Sequence, residues 1–257
     1  MNRKMWGVLA ALCTLAVSAV CTSAQMQEVK EKPRMYSYVA FWAIPRAQWA
    51  DYGKQAAGEE QMMKKAMADG TLVGYGEDQN LIHQPDGFTH DGWFSSMSEA
   101  GLLNVLDGFY KSGSTTSAVD IGATRHADAM FVSRYYNWHS GSWKGLYSSA
   151  SMYTLKKDAP DDAYDLLCRN LFVPLFEKLL ADGTIVEYEV DTEAIHTQAP
   201  GTFWIDYITP TAEGLDKVNA AVREAQKSDR FGVAAFGTMI DFKEHRDYLS
   251  RTEAAYK

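Results

Sequence analysis

Two glutamates, Glu187 and Glu189, alternate with apolar residues in the segment 186–190, which reads Val-Glu-Tyr-Glu-Val. In a β-strand successive side chains point to opposite faces, so both carboxylates share one face and the apolar residues share the other. We expect the apolar face to pack on helices and the carboxylates to point to the other side of the sheet. A desolvated carboxyl there would have a raised pKa and could act as a base or anchor a polar ligand.

The first predicted strand supplies aromatic side chains of the kind that line ligand pockets. By the same alternation Tyr36, Tyr38 and Trp42 share one face, whereas Val39 and Phe41 suit a helix-facing side. Tyr and Trp combine an apolar ring with one polar group, which suits the wall of a partly hydrated cavity. We therefore interpret the three aromatic residues as candidate ligand contacts.

Three further residues complete the candidate ligand-binding set. Trp204 and Asp206 alternate in a later predicted strand, and Arg134, in another strand, is a candidate counter-charge. The ordinary alternative stays open, because aromatic residues at period two are common in sheet cores and glutamates in strands are commonly solvated.

Other catalytic patterns are weak or absent in the sequence. None of the six histidines forms an i, i+4 pair with an intervening glutamate, the pattern typical of a helical zinc site. No Gly-x-Ser-x-Gly elbow of a serine hydrolase is present. Cys168 lies in a leucine-rich helical segment and is expected to be a buried thiol, not a nucleophile. The sequence therefore predicts no metal site, identifies no catalytic residue and indicates no particular cofactor.

An internal repeat organises the candidate residues. The segment 68–75, Ala-Asp-Gly-Thr-Leu-Val-Gly-Tyr, matches 181–188, Ala-Asp-Gly-Thr-Ile-Val-Glu-Tyr, at an offset of 113 residues (184 − 71). The same offset aligns Asp78 with Asp191 without a gap. One register held over roughly forty residues indicates a tandem duplication.

The two copies share one succession of elements but differ in detail. Each copy is predicted to read strand, helix, strand, strand, helix, strand, with strands at 36–43, 72–77, 92–97, 130–136, 147–155, 184–190, 203–208 and 233–240. Gly74 and Gly76 of the first copy correspond to Glu187 and Glu189, so one copy offers room where the other offers charge. Residues 111–127 form a Gly/Ser/Thr-rich insertion in the first copy only.

The order βαββαβ is that of a ferredoxin-like unit, and two such units in one chain resemble the dimeric α+β-barrel superfamily. The resemblance rests on topology and covers most of the chain. It implies an α+β fold of two tandem ferredoxin-like βαββαβ units, residues 35–144 and 145–257, that form a pseudo-dimeric barrel with two facing sheets. The superfamily includes monooxygenases, isomerases, haem enzymes and stress-response binding proteins, so the fold alone identifies no activity. A haem protein would need an axial histidine, and the sequence selects none.

The first residues have the pattern of an export signal. Arg3 and Lys4 precede an apolar run at 6–20, and Thr22-Ser23-Ala24 supplies a cleavage site, so residues 1–24 are predicted to be a cleavable signal peptide. Residues 25–34 would be an N-terminal extension. The run is shorter than the roughly 20 residues of a spanning helix, so we expect a periplasmic or secreted protein without stable membrane insertion. A retained anchor and a lipid-modified Cys21 are the alternatives.

The composition narrows the classes of partner. The formal charge of −8 is dispersed, and no run of Lys and Arg is present, which argues against a nucleic-acid partner. The leading hypothesis is an exported protein that binds a small organic ligand between the sheets. The alternatives are a monooxygenase- or isomerase-type enzyme that uses the same pocket, and a non-catalytic structural or stress-response module whose barrel is filled by side chains.

Overall fold

A computed structural model describes residues 30–83, 85 and 87–257, so the predicted signal peptide lies outside the described residues. The strands are β1 (Met35–Trp42), β2 (Gly74–Asn80), β3 (His90–Ser96), β4 (His126–Trp138), β5 (Ser142–Trp143), β6 (Tyr147–Leu155), β7 (Glu187–Ile195), β8 (Thr202–Thr209) and β9 (Ile240–Tyr256). The helices are α1 (Trp49–Ala68), α2 (Glu99–Ser112), α3 (Ala118–Gly122), α4 (Ala163–Leu167), α5 (Val173–Ala181), α6 (Ala212–Ser228) and α7 (Arg230–Met239).

Within these residues, eight of the strands form one closed antiparallel barrel. Neighbouring strands follow the order β2-β3-β1-β4-β7-β8-β6-β9, and β9 pairs back onto β2, while the short β5 extends the end of β9. The pairs β4–β7 and β2–β9 join the two halves edge to edge. The fold is therefore mixed α and β, as predicted. Its eight long strands form a single closed barrel, in which each strand pairs with a neighbour on both sides, and not two separate facing sheets.

The helices pack on the outer face of the barrel. In the first half, α1 and α2 bury Met63, Leu102 and Phe109 against Phe94 of β3. Ser98 caps the N-terminus of α2, because its side chain accepts a hydrogen bond from the Gly101 amide. In the second half, the helices cover a larger cluster that includes Phe172, Phe176, Tyr188, Val190 and Phe203.

The helical segment around Pro174 is split, as a proline inside a helix predicts, into α4, a π-helical turn at Cys168–Phe172 and α5, because proline removes one helical hydrogen bond. Cys168 is fully buried in that turn, and burial raises the pKa of its thiol. The strand predicted at 233–240 is wrong: the segment forms α7, because the Asp229 side chain caps it and a short apolar run fits either element.

Among the described helices, none combines the length and the apolar character needed to cross a membrane.

Candidate ligand site inside the barrel

The acidic face of β7 points into the barrel. Glu187, Glu189 and Asp191 line the interior cavity, whereas Tyr188 and Val190 pack among the helices. The register of the sheet places Asp206 of β8 opposite Glu189 and places Trp204 opposite Asp191. Four of the residues predicted from the sequence, Glu187, Glu189, Trp204 and Asp206, therefore lie together inside the barrel.

The first half contributes two more carboxyls that the sequence analysis did not select. Asp78 of β2 and Asp91 of β3 are paired across the sheet and line the same cavity. A signal for Asp78 was present, because the repeat aligns it with Asp191. The repeat also aligns Asp91 and Trp93 with Trp204 and Asp206, so the third strand of each copy carries one aspartate and one tryptophan in opposite order.

The counter-charge of this cluster is Lys257, whose side chain is 0% exposed. Its Nζ lies 2.7 Å from Oε1 of Glu187 and 2.6 Å from Oε1 of Glu189. The same ammonium lies 4.9 Å from the ring centres of both Trp93 and Trp138. Two carboxylates and two indole faces thus surround one primary ammonium. No sequence pattern marks this isolated lysine, so sequence reasoning had no means of finding it.

The two glycines of the first copy make the space for this arrangement. A Cβ atom on Gly74 would lie 2.5 Å from Cδ of Lys257, and one on Gly76 would lie 2.5 Å from Cζ2 of Trp93. Real Cβ atoms do not approach other atoms so closely, so larger residues at either position would displace the buried side chain. The glycines of the first copy and the glutamates of the second, which are equivalent under the repeat, therefore lie in one site: the glycines leave space for the side chains of Lys257 and Trp93, and the glutamates bind the lysine.

A cavity of about 120 Å³ remains inside the barrel. At 10–15 Å³ for each water-sized position, this is room for on the order of ten non-hydrogen atoms. One part of its wall is acidic and holds Asp78, Asp91, Glu187, Glu189, Asp191 and Asp206. Another part is aromatic and apolar and holds Val39, Phe41, Phe88, Phe131, Trp204 and Tyr248. The cavity is therefore amphipathic.

Three buried polar atoms at the cavity lack partners. Within the part of the chain that the structure describes, Nε1 of Trp204, Oε2 of Glu187 and Oδ1 of Asp78 make no hydrogen bond, although their residues are only 8%, 5% and 3% exposed. A buried polar group without a partner is costly, so each would gain from a suitable bound group. The indole needs an acceptor, and each carboxyl oxygen needs a donor when ionised or an acceptor when protonated.

Burial raises the pKa of five of the six interior carboxyls. Desolvation raises the pKa of Asp91, Asp191 and Asp206 well above the ordinary aspartate value, and neighbouring carboxylates raise it further. Burial also raises the pKa of Asp78 to about 6 and that of Glu187 to about 8.

The ammonium of Lys257 stays charged in the same surroundings. Desolvation disfavours it, but the adjacent Glu187 and Glu189 outweigh that effect and raise its pKa. One ammonium balances one carboxylate, so the rest of the cluster has no cationic partner among the described residues and can hold protons instead.

Comparison with known proteins supports the fold and leaves the activity open. No protein-family model and no curated protein matches the sequence. A structure described as a putative monooxygenase from Lactobacillus acidophilus NCFM superposes with a TM-score of 0.64 at 10% identity, over 88% of this chain and 97% of that one. A second protein of that description, from Fusobacterium nucleatum, gives a TM-score of 0.60 at 8% identity, over 87% and 94%. A mutant chlorite dismutase from Candidatus Nitrospira defluvii gives 0.51 at 9%, over 85% and 91%.

The chain therefore shares its α+β-barrel fold with these structures. The predicted resemblance is confirmed. At identities near one in ten, the likeness concerns the fold only.

The face predicted for the first strand is wrong. Tyr36 and Tyr38 pack on the helix-facing cluster, and Trp42 stacks on the exposed His126 ring with centres 3.7 Å apart. Val39 and Phe41 face the cavity instead. Aromatic residues suit either face of a sheet, so the pairing of β1 with β3 decides the matter, and that pairing places Val39 opposite the inward-facing Trp93.

Arg134 does not serve the site. The register of β4 shifts between Ser133 and Tyr135, which is typical of a β-bulge, and Arg134 lies outside the barrel. Its guanidinium is 3.0 Å from Glu31 and 2.7 Å from Asp165, so it ties the N-terminal segment to α4. The interior counter-charge that was expected of Arg134 is supplied by Lys257.

A second cleft of about 690 Å³ lies between α5, α6 and α7 and the outer face of β6, β8 and β9. Its walls are mainly apolar, and His245 is the histidine among its lining residues. Nδ1 of His245 is 2.9 Å from the Met152 carbonyl and Nε2 is 3.2 Å from Asp247. Because both ring nitrogens are occupied, the described lining residues of this cleft do not fit haem iron. Likewise, no three His, Cys, Asp or Glu side chains of the described chain are placed to hold a metal ion.

Proposed function

We propose that this protein binds a small organic molecule inside its barrel. The observation that carries the proposal is the cavity of about 120 Å³ in which aromatic and acidic side chains from both halves converge. Apolar walls with a few convergent polar groups are typical of small-molecule sites. The unpartnered Nε1 of Trp204 and Oε2 of Glu187 are the groups that would orient the ligand.

Filling the cavity tests this proposal. Ala150 lines the cavity, and Ala150→Leu would add three carbon atoms there. Ala220→Leu, on the exposed side of α6, is the matched control. In native mass spectrometry of protein purified from its host, we expect a bound small molecule on the wild type and on Ala220→Leu, and its loss from Ala150→Leu. Retention of the same molecule by Ala150→Leu would place the ligand elsewhere.

An enzyme that uses the same cavity is the second candidate. The buried Asp206, whose pKa is raised by desolvation, is suited to take a proton from a bound substrate in a reaction of monooxygenase or isomerase type. Two structural neighbours described as putative monooxygenases are consistent with this, at the level of the fold. Asp206→Asn would then abolish turnover of the retained molecule, whereas a pure binding protein would show no turnover before the substitution. A filled barrel, as the structural-module alternative expects, fits poorly with the cavity.

We also propose that the chain is exported. The basic Arg3 and Lys4, the apolar run at 6–20 and the small residues before Gln25 support cleavage of a signal peptide. N-terminal sequencing of the protein from the periplasm or medium of its host should begin at Gln25. A mature protein that begins at Met1 and stays in the cytoplasm would contradict this.

The barrel is further proposed to derive from two ferredoxin-like units, residues 35–144 and 145–257. The strand orders β2-β3-β1-β4 and β7-β8-β6-β9 are equivalent under the repeat, which supports this division. Co-expressed halves should then assemble into a one-to-one complex, detectable by native mass spectrometry. Halves that stay unfolded and separate would count against two independent units.

A further inference from the structure

We propose that the ligand is a small organic amine, with its ammonium among Asp91, Asp191 and Asp206 and its apolar body against Phe131 and Trp204. This inference rests on the proposed binding function and names the class of ligand.

The balance of charge inside the barrel is the first support. Six carboxyls line the cavity, and the ammonium of Lys257 contacts two of them, Glu187 and Glu189. Asp91 lies opposite Asp78 and Asp206 lies opposite Glu189 in the sheet, so each faces the cavity beside another carboxyl. A buried acidic cluster of this kind accepts either protons or a cation. An anionic ligand would add to the repulsion.

Lys257 shows which kind of cation the interior accommodates. Its primary ammonium is held at 2.7 and 2.6 Å from two carboxylate oxygens. It lies 4.9 Å from two indole ring centres. The cavity also holds carboxyls next to indole rings. Under the repeat, Asp91 of β3 corresponds to Trp204 of β8, and Trp93 corresponds to Asp206. A second ammonium would meet the same chemistry without competing for the pair that Lys257 occupies.

The aromatic wall favours an organic amine over a bare metal ion. Phe41, Phe131, Trp204 and Tyr248 offer apolar area that a hydrated metal ion would not use. The described residues also contain no metal-binding group of three side chains. The free Nε1 of Trp204 needs an acceptor, so the amine is expected to carry a hydroxyl or similar oxygen.

Binding of an amine should release protons. The titratable groups that face the cavity are Asp78 and Asp91 from β2 and β3, Glu187, Glu189 and Asp191 from β7, Asp206 from β8, Tyr248 from β9, and the nearby Lys257. A bound ammonium stabilises the ionised form of the carboxyls, so they lose protons on binding. Affinity should therefore increase as the pH rises from about 6 to 8, while the amine itself, with a pKa near 10, stays charged.

Calorimetry with three matched probes tests the inference. Tyramine, 4-(2-hydroxyethyl)phenol and 4-hydroxyphenylacetate share one phenol body of about the size of the cavity and carry an ammonium, a hydroxyl or a carboxylate. We expect tyramine to bind about ten-fold or more tighter than the other two, as one charge-assisted hydrogen bond implies. Titrations in buffers of different ionisation enthalpy should show proton release for tyramine alone.

Substitutions locate the binding. Asp206→Asn is isosteric with the protonated acid and should fold; it should weaken tyramine binding about ten-fold or more and leave the neutral phenol unchanged. Asp107→Asn, on the exposed side of α2, should behave as the wild type. Trp204→Phe keeps an aromatic ring and removes the indole donor, so it should weaken all probes slightly.

The outcomes separate the two proposals. Equal or tighter binding of the neutral or anionic probe, abolished by Ala150→Leu, would overturn the amine inference and leave small-molecule binding intact. Binding of Mg²⁺ or Ca²⁺ with the same proton release, and none of tyramine, would also overturn it. If no probe binds and Ala150→Leu retains the molecule carried from the host, both proposals fail.

Discussion

The side chain of Lys257 packs directly against the backbone of Gly74, so a Cβ atom on residue 74 would lie 2.5 Å from Cδ of the lysine. Gly74 is also the repeat equivalent of Glu187, one of the two glutamates with which Lys257 forms ion pairs. One copy of the duplication therefore supplies the room and the other supplies the charge for a single buried cation. This division explains why equivalent positions have diverged so far in chemistry.

Replacing Gly74 by alanine should destabilise the protein. The lysine side chain is held by two ion pairs and cannot move aside freely, so the added methyl group should lower the free energy of unfolding by about 1–3 kcal/mol. The matched control is Gly53→Ala in α1, where nothing lies within 4 Å of the new Cβ. That substitution should raise the free energy of unfolding by about 0.5–1 kcal/mol, because alanine has a higher helix propensity than glycine. Urea denaturation followed by circular dichroism measures both free energies. Equal changes in the two variants would contradict the close packing of Lys257 against Gly74.

Removing the ammonium should cost more than removing a surface lysine. Lys257→Met leaves two buried carboxyls without a cation, and breaking such a pair costs about 3–5 kcal/mol. Lys227→Met is the control, because its lysine is exposed and lies 3.8 Å from Glu224. The cost at Lys257 should be smaller at pH 5.5 than at pH 8, since the carboxyls can then take up protons. Adding Glu189→Gln to Lys257→Met should recover part of the loss; a strictly additive double variant would show that the pair is not coupled.

Stability should fall as the pH rises from 6.5 to 8. Burial raises the pKa of Glu187 to about 8 and holds those of Asp91 and Asp206 well above their usual range, so the folded state binds more protons than the unfolded state there. Their stabilising contribution is complete below the unfolded pKa near 4 and is lost as the pH rises through the folded value, at up to about 1.4 kcal/mol per pH unit for each group.

One histidine acts in the opposite sense at lower pH. Burial lowers the pKa of His90 to about 4, so His90 adds stability as the pH rises towards 6.5 and has no further effect above that value. The window from 6.5 to 8 is therefore the one to measure, by urea denaturation at several pH values. Asp206→Asn should flatten the slope, whereas Asp107→Asn on the exposed face of α2 should not. A wild-type stability that rises across the window would refute the assignment.

A second buried acid, outside the cavity, offers an independent test of the electrostatics. Burial raises the pKa of Glu77 to about 8, and a hydrogen bond of 3.0 Å from the Tyr52 hydroxyl opposes the rise. Tyr52→Phe should therefore raise the pKa of Glu77 further and lower the free energy of unfolding by about 1 kcal/mol. Carbon-13 NMR of labelled glutamate carboxyls follows the titration. The exposed Tyr110, changed to phenylalanine, should leave it unmoved.

The residues that sequence reasoning located correctly are those whose alternation involves charge. In β7, carboxylates and apolar residues alternate, and burial of a carboxylate among helices would be so unfavourable that only one orientation is reasonable. In β1, both faces are compatible with burial, because Tyr38 and Trp42 differ little in that respect from Val39 and Phe41. Only the register with β3 decides there, and register is a property of the whole sheet.

Long-range contacts explain the other omissions. Lys257 and Asp91 belong to the site because Lys257 directly follows β9, and β9 and β3 both pair with β2. No local pattern around either residue indicates this. The strand predicted at 233–240 illustrates the same limit at short range, since an apolar run of that length fits a helix or a strand equally well. Asp78 could have been predicted as a cavity residue. The repeat aligns it with Asp191, and both residues line the cavity.

Closure of the barrel between β2 and β9 has a consequence for how the chain folds. This pairing joins segments far apart in the sequence, such as Gly76 with Ala255, and contacts so distant are entropically costly and are expected to form late. If β9 pairs last, we expect the carboxyls of β2, β3, β7 and β8 to be hydrated and ionised until it does so. The pairing of β9 with β2 would therefore remove water from these carboxyls. Because their pKa values rise on burial, they would take up protons in the same step. We expect refolding to be slower in alkaline than in mildly acidic solution, with the pH dependence concentrated in that last step.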